Sequence, residues 1–505
     1  MGVRKTSMTM ARSNFGNTMT AGMWWRNAVI YQIYVRSFQD SDGDGVGDLR
    51  GVLGRLGHLA DLGVTGIWLS PIHPSPLVDF GYDVADFMAV DPVYGELADF
   101  DALVAGAHEQ GLRVVMDLVL GHTSIEHPWF RIHPDWYIRA KGACPPSNWR
   151  SMFGGSAWSR DSIQGDWYLH TFHREQPDLN WRNPEVVAAM QDVVRFWRAR
   201  GVDGFRLDAT SLLMKDPLLR DDPPTRARFP LPLPDHYAQL DHVRSAMRAD
   251  SPRVLAALRS VAGDAFLVAE AYLPTADLEP YLGVVDAVFA FEFLFAPWHA
   301  PSLATTIDAG DRLRRQEPRG LAWVLSNHDF GRVASRVGAI NARSAAMLLL
   351  TLPGVAFLYQ GDEIGMTDGA DTAATLDYDG RDRYRHPMPW DQGPAGGFTS
   401  GSPWLPVHDA RRTNVAAQLD DPGSMLTLHR ELVTVRRRMN GPLRGLRADG
   451  GVLTFERGAH VVTINTAREP ARVPLVGRTE LATEDGVLKP DGRLAGHAGV
   501  IMTRS

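Results

Sequence analysis

Eight short apolar runs recur along the chain: Ala28–Val35, Gly66–Pro71, Arg113–Leu120, Gly204–Ala209, Phe266–Tyr272, Ala287–Phe293, Leu321–Asp329 and Val355–Ile364. Between them, segments such as Asp99–Gln110, Glu185–Arg200 and Arg343–Thr351 space their apolar residues three and four apart, the period of an amphipathic helix. Eight strands alternating with helices predict an α/β chain folded as a (β/α)8 TIM barrel. An open doubly wound sheet is the alternative, but no glycine-rich phosphate turn follows an early strand.

Three stretches exceed what the scaffold needs. Residues 122–179 are dense in aromatics, among them Trp129, Trp136, Trp149, Phe153 and Trp158, and read as a subdomain inserted after the third strand. Asp216–Asp235 holds six prolines, so it is extended rather than helical. Gly365–Asp420 follows the eighth strand. Loops this long usually carry function. After a last helix near Ser424–Met439, alternation in Val452–Phe455 and His460–Ile464 predicts a C-terminal antiparallel β domain. The expected division is a disordered tail over 1–22, a barrel over 23–121 and 180–440, the insertion over 122–179, and a β-sandwich over 441–505.

Charge changes the picture little. A net charge of -7 with 22% charged residues gives no reason to expect a nucleic-acid partner. No apolar run reaches transmembrane length, and Met1–Gly22 has no apolar core of a secretory signal. A single cysteine, Cys144, excludes an intrachain disulfide and agrees with a cytoplasmic setting.

Candidate chemistry gathers at strand ends. Asp117 and His122 close the third run, Arg206 and Asp208 the fourth, Glu270 the fifth, and His328 and Asp329 the seventh. In a barrel these ends converge on one face. Arg206 and Asp208 lie two apart on a strand, hence on one side, where the cation would keep the carboxylate ionised. A structural ion pair is the competing reading. Two carboxyl groups flanking a glycosidic bond suffice for its hydrolysis, and a third would stabilise an oxocarbenium-like transition state. Glu270 lies in the apolar run Leu267-Val-Ala-Glu270-Ala-Tyr, where desolvation would keep it protonated as an acid. A metal-dependent hydrolase or aldolase would need clustered histidines, and His122 and His127 do not share a strand.

The segment Asp40-Ser-Asp42-Gly-Asp44-Gly-Val-Gly-Asp48 sets carboxylates around a tight glycine turn, as hard divalent cations require. Gly51 stands where an EF-hand has its bidentate glutamate. A single-loop structural site for Ca2+, or Mg2+, is therefore expected from Asp40, Asp42, Asp44, Asp48 and the Val46 carbonyl. A plain acidic turn is the alternative.

From Trp24 to about Asp391 the sequence resembles the α-amylase family, glycoside hydrolase family 13. The family's signature regions are matched by Asp117-Leu-Val-Leu-Gly-His122, Gly204-Phe-Arg-Leu-Asp208, Val268-Ala-Glu270 and Ser326-Asn-His-Asp329. The resemblance implies that Asp208 is the nucleophile, Glu270 the acid/base and Asp329 the transition-state stabiliser. Arg206, His122 and His328 would hold the sugar. Tyr82 and Asp83, in Gly81-Tyr82-Asp83, and Arg385, in Arg385-His-Pro-Met-Pro-Trp-Asp391, resemble residues that stack on it or bind its hydroxyls. Gly121 replaces a common asparagine, which argues against a second calcium.

The metal loop and these last two motifs point to the oligo-1,6-glucosidase/α-glucosidase branch. Ala209, small and next to the nucleophile, goes in that branch with α-1,4 preference. The expectation is a retaining, exo-acting α-glucosidase on maltose or maltooligosaccharides, a monomer or homodimer without nucleic-acid or membrane partners, with transglucosylation. An α-glucosyltransferase or trehalose-synthase-type isomerase is the second reading, and a non-catalytic carbohydrate-binding relative the third.

Overall fold

The computed structural model describes residues 23–226, 228–316, 320–370, 377 and 380–504. The tail expected over 1–22 lies outside them. Eight parallel strands close a barrel: β1 Val29–Ile33, β2 Gly66–Leu69, β3 Arg113–Leu118, β4 Gly204–Leu207, β5 Phe266–Ala269, β6 Ala287–Phe289, β7 Gly320–Val324 and β8 Val355–Tyr359. Each pairs with its neighbours in sequence, and β8 returns to β1 with Val29 opposite Ala356. The fold class is as the hydrophobic pattern predicts.

Alternation along the strands sorts side chains into two cores. Ile30, Trp68, Val115, Phe266, Val268, Phe289, Val324 and Phe357 fill the barrel, with Trp25 among them. Their neighbours Tyr31, Ile67, Val114, Phe205, Leu207 and Leu267 face the helices. Because Phe205 and Leu207 point outward, Arg206 must point into the barrel, and Asp208 follows on the same side. The same parity carries Asp117 two residues past Val115, and Glu270 two past Val268. The site is thus an extension of the barrel's interior column of side chains.

Helices are stopped where the sequence signals it. Leu49–Leu62 begins at Asp48, which accepts the Gly51 N–H, and ends at Gly63 in the left-handed region (φ 85°). Pro184–Ala199 starts at Asn183 with proline in its first turn. Two predicted strands are corrected: Val355–Ile364 is extended only to Tyr359, with a short 3-10 helix over Asp362–Ile364. The run Ala287–Phe293 is extended only to Phe289, and Phe291–Phe295 turns into a short helix. Alanine, phenylalanine and leucine make an apolar run whose period does not tell strand from helix.

Within the insertion, Trp167–Leu169 is the central strand of a three-stranded antiparallel sheet with Arg139–Ala140 and Trp158–Arg160. The C-terminal strands β9 Leu443–Asp449, β10 Val452–Arg457, β11 His460–Asn465, β12 Arg478–Ala482 and β13 Gly499–Thr503 form an antiparallel sheet in the order 9-10-11-13-12. A second sheet pairs Ala471–Arg472 with Arg493–Leu494. The helix Met425–Arg438 joins this region to the barrel through Arg436. This buried guanidinium donates to the carbonyls of Leu350, Leu352 and Gly354 at 2.9, 2.7 and 2.5 Å. Among the described residues no helix is long and apolar enough to cross a membrane.

Candidate active site

At the carboxyl ends of the strands a cavity of about 300 Å3 is lined by Asp208, Glu270 and Asp329 together, with Asp79, Tyr82, His122 and Arg381. The three acids come from β4, β5 and the turn after β7. Arg206 lies beneath them, fully buried. One Nη1 donates to Asp117 at 2.9 Å and also to Asp208, and Nη2 donates to Glu270 Oε2 at 2.5 Å. A single rigid fork therefore fixes two acids relative to each other. The chain after Asp208 adds to this. Ala209 sits in the left-handed region (φ 47°), with its N–H 3.1 Å from Glu270 Oε2, and Thr210 donates its N–H and hydroxyl to the Glu270 carbonyl at 2.8 and 2.9 Å. An alanine held at positive φ is strained, and the contacts to Glu270 hold it there.

The acids differ in protonation because their surroundings differ. Burial pushes Glu270 up to about 8, assisted by the nearby charges of Asp208 and Asp329 and opposed by Arg206. Oε2 receives two N–H donors, so the acidic proton resides on Oε1. Asp208 is pushed up to about 6, again chiefly by burial and against the pull of Arg206, and stays ionised at neutral pH. Burial also works against ionisation of Asp329, but the guanidinium groups of Arg381, Arg385 and Arg206 together hold it well below the usual carboxylate range. A protonated acid beside an anionic one is the division of labour that glycoside cleavage needs.

The wall around these groups is held by hydrogen bonds. The Tyr82 hydroxyl lies 3.0 Å from Asp117 and 2.7 Å from His328 Nε2, with the two rings stacked at 5.3 Å. His328 is completely buried, which lowers it to about 3 and keeps it neutral. Gln32 lies 2.7 Å from its Nδ1 and fixes the ring. His122 lines the cavity, and its buried Nδ1 has no protein partner.

Of the residues expected to bind the sugar, Tyr82 and His122 line the cavity, Arg206 and His328 are buried behind its lining, and Asp83 and Arg385 lie elsewhere. Asp83 is fully buried in its own turn, accepting from Ser75 Oγ at 2.6 Å and from the N–H groups of Val78 and Asp79 at 2.9 and 3.0 Å. The cavity instead receives Asp79. Phe80 and Gly81 both have positive φ (43° and 106°), and this reversal folds Asp83 back while leaving Asp79 on the cavity side. Arg385 likewise lies behind the wall, donating Nε to the His328 carbonyl at 2.9 Å, and Arg381 is the arginine that reaches the cavity. Arg381 bonds Asp79 at 2.6 Å, Asp329 at 3.1 Å and Asp377 at 2.6 Å. Sequence reasoning missed both Asp79 and Arg381. Each stands four residues before the residue chosen, within the same motif, and the chain offered two chemically identical candidates. Gln176, which donates to Asp79 at 2.9 Å, carried no signal at all.

In the acidic loop, Asp40, Asp42 and Asp48 bring ligand oxygens within 4.8 Å of one another. Asp44 is not in that group, and its carboxylate accepts the Val46 N–H at 2.7 Å. Burial and then the crowding of Asp42, Asp40 and Asp48 raise Asp44, so the loop concentrates negative charge that a divalent cation would relieve. Asp40 also accepts from Thr399, and Trp404 N–H donates to the Gly45 carbonyl at 2.9 Å, so the loop anchors the segment that follows β8.

Comparison with known proteins agrees with this geometry. Residues 32–443 match the family described as "Alpha amylase, catalytic domain". A probable α-glucosidase of Rhizobium meliloti is 40% identical over 86% of this chain and 87% of its own length. Maltase A1 of Drosophila melanogaster is 37% identical over 92% of this chain and 91% of its own. Among solved structures, the α-glucosyl transfer enzyme XgtA superimposes with a TM-score of 0.89 at 37% identity, covering 95% of this chain and 99% of that one. A mutant of the trehalulose synthase MutB gives 0.86 at 29% identity, covering 95% of this chain and 100% of that one.

Proposed function

The chain belongs to the α-amylase family of glycoside hydrolases, in its α-glucosidase branch, and from that premise we propose how its own residues act. Asp208 attacks the anomeric carbon of a terminal α-glucosyl unit, and Glu270 Oε1 gives its proton to the departing oxygen. Asp329 stabilises the positive charge that develops between these steps. Water, deprotonated by the Glu270 carboxylate that has formed, then attacks the glucosyl ester of Asp208 from the face the leaving group vacated. Two displacements at one carbon return the starting configuration. Asp79, Arg381, His122 and Tyr82 bind the glucosyl hydroxyls and ring, with Arg206 and His328 orienting the groups beside them.

The carrying observation is the common guanidinium beneath Asp208 and Glu270, which presents one ionised and one protonated carboxyl to a single cavity. Two features support exo action. The cavity is small, and it is walled by Met152, Phe153 and Phe172 of the insertion on one side and by Pro232 and Pro234 on the other. That shape suits a chain end. Ala209, small and facing the cavity, supports preference for α-1,4 links in maltose and maltooligosaccharides. Asp40, Asp42 and Asp48 would hold a structural Ca2+ or Mg2+, which supplies charge neutralisation for the loop and no chemistry to the site. Expected domain limits remain barrel 23–121 and 180–440, insertion 122–179 and C-terminal region 441–505.

Product analysis tests the reading. Incubated with maltose, isomaltose, sucrose, trehalose and starch, the protein should release glucose fastest from maltose, and from p-nitrophenyl α-glucoside, whose only glucose is the transferred unit, the sugar should appear first as the α-anomer by NMR. Initial β-glucose from that glucoside would overturn the retaining mechanism, and trehalose formed from maltose would make the protein an isomerase.

A further inference from the structure

Below the cavity, a row of buried hydrogen bonds has only one consistent set of directions. Gln32 follows Ile30 on the inner face of β1, is buried, and places Nε2 2.7 Å from His328 Nδ1. On the far side of that ring, His328 Nε2 lies 2.7 Å from the Tyr82 hydroxyl and 3.1 Å from Asp329 Oδ2. The Tyr82 hydroxyl lies 3.0 Å from Asp117 Oδ2, which also accepts the Trp68 indole N–H at 3.2 Å. The directions follow from this anionic end. Burial raises Asp117, against the pull of Arg206, to about 6, so near neutral pH it is an anion and can only accept. Tyr82 therefore donates its one hydrogen to Asp117 and has only a lone pair left for His328. His328 is neutral and carries one ring hydrogen, which must then sit on Nε2. Its Nδ1 is bare, so Gln32 has to present the NH2 end of its amide. The second amide hydrogen points to Ser70 Oγ at 3.4 Å, and Oε1 is left buried with no protein partner. A half-turn of the amide would set that oxygen against the bare nitrogen.

We propose that Gln32 is a positioning residue for the transition-state stabiliser: by donating to Nδ1 it locks His328 in the Nε2–H tautomer, and that N–H holds the second carboxylate oxygen of Asp329. The proposal rests on the α-glucosidase reading, which gives Asp329 its role. Gln32 itself lies beneath the cavity lining and touches no sugar. Arg381 and Arg385 both bond Asp329 through Oδ1, at 3.1 and 3.3 Å. The His328 N–H is the group that meets Oδ2 and so sets the plane of the carboxylate. In the other tautomer a bare Nε2 would face lone pairs of both Tyr82 and Asp329, and both side chains would turn away from it. The loss would then appear where positive charge develops on the sugar, because a carboxylate stabilises that charge only when it is already aimed at it.

Nitrogen-15 NMR of the enzyme labelled at histidine reads the ring directly. The His328 signals, assigned through their contact with the Tyr82 ring, should be those of a neutral imidazole with its hydrogen on Nε2. Gln32→Glu keeps the side-chain length but can only accept, so Nδ1 should carry a hydrogen in that variant. On p-nitrophenyl α-glucoside, kcat of Gln32→Glu should fall at least tenfold, and by a larger factor than KM rises. Gln32→Met, of similar volume and without a donor, should lose kcat in the same sense. A hydrogen on Nδ1 in the unaltered enzyme would overturn the inference. So would a smaller loss of kcat in folded Gln32→Glu, or a loss lying mainly in KM, as a merely structural role would give. The first reading needs no substitution, so it decides the matter even where a variant does not fold. No cleavage by the unaltered enzyme would instead overturn the α-glucosidase reading and leave the ring assignment standing.

Discussion

Replacing Glu270 by glutamine separates its two physical consequences, lost proton transfer and relieved desolvation. With Glu270 at about 8, about nine molecules in ten carry the acidic proton at pH 7. Glutamine keeps the size and the acceptor oxygen for Arg206 and Ala209 but has no proton to give. Turnover of maltose, whose leaving group needs protonation, should fall by about 10²–10⁴. Cleavage of p-nitrophenyl α-glucoside, with its more acidic leaving group, should fall much less, and azide should accelerate it by trapping the glucosyl-enzyme as α-glucosyl azide. Stability provides the independent check. The folded protein raises this carboxyl from 4.5 to about 8, so it favours the neutral form. That contribution is fully present below pH 4.5 and is lost as pH rises through 8. At about 1.4 kcal/mol per pH unit the penalty reaches about 5 kcal/mol, an upper value because Arg206 also loses an anionic partner in the variant. Glutamine escapes the penalty. Melting temperatures of the two proteins should therefore diverge between pH 5 and pH 9, in favour of the variant. A difference independent of pH, or equal rate losses on both substrates with no azide effect, would refute the assignment of Glu270 as a desolvated acid.

Other outcomes follow from the same geometry. The kcat/KM of the unaltered enzyme should rise through about pH 6 as Asp208 ionises and fall through about pH 8 as Glu270 loses its proton, and a profile flat across that window would contradict both shifts. Asp79→Asn should cost at least tenfold in kcat/KM with little change in melting, whereas Asp83→Asn should lower the melting temperature and leave the kinetics of the folded fraction nearly intact; the reverse pattern would restore Asp83 to the sugar site. Arg436→Ala should destabilise the protein by at least about 2 kcal/mol in denaturant titration, since the buried carbonyls of Leu350 and Gly354 lose this donor at about 1–3 kcal/mol each, while that of Leu352 keeps Arg457. Chelation should lower the melting temperature, and readdition of Ca2+ should restore it, without altering kcat measured well below the transition; an unchanged melting curve would make the loop a plain acidic turn.

How much was legible beforehand depends on the range of the physics involved. The barrel was legible because strand and helix periods are local and because eight strands of this kind have few ways to bury both faces. The placement of Arg206, Asp208 and Glu270 was legible for the same reason: residues two apart on a strand share a side, and Phe205, Leu207 and Val268 fix which side that is. Phe291–Phe295 was not, since a short apolar run satisfies either period and the choice falls to packing.

Between Asp79 and Asp83, or Arg381 and Arg385, the sequence had no means of choosing. Both members of each pair have the same chemistry and differ only in what they meet, namely a turn made by Phe80 and Gly81 in one case and the wall behind His328 in the other. The protonation of Glu270 was foreseen in direction from its apolar run, but its magnitude comes first from burial by elements brought from elsewhere in the chain, then from Arg206 in opposition and Asp208 and Asp329 in support, all far from Glu270 along the chain. By itself the sequence determined the scaffold and the kinds of group at its mouth, because these follow from local period and residue chemistry. Which of those groups face the sugar, and in which charge state, was decided only by the tertiary structure, because orientation and desolvation are properties of neighbours brought from elsewhere in the chain.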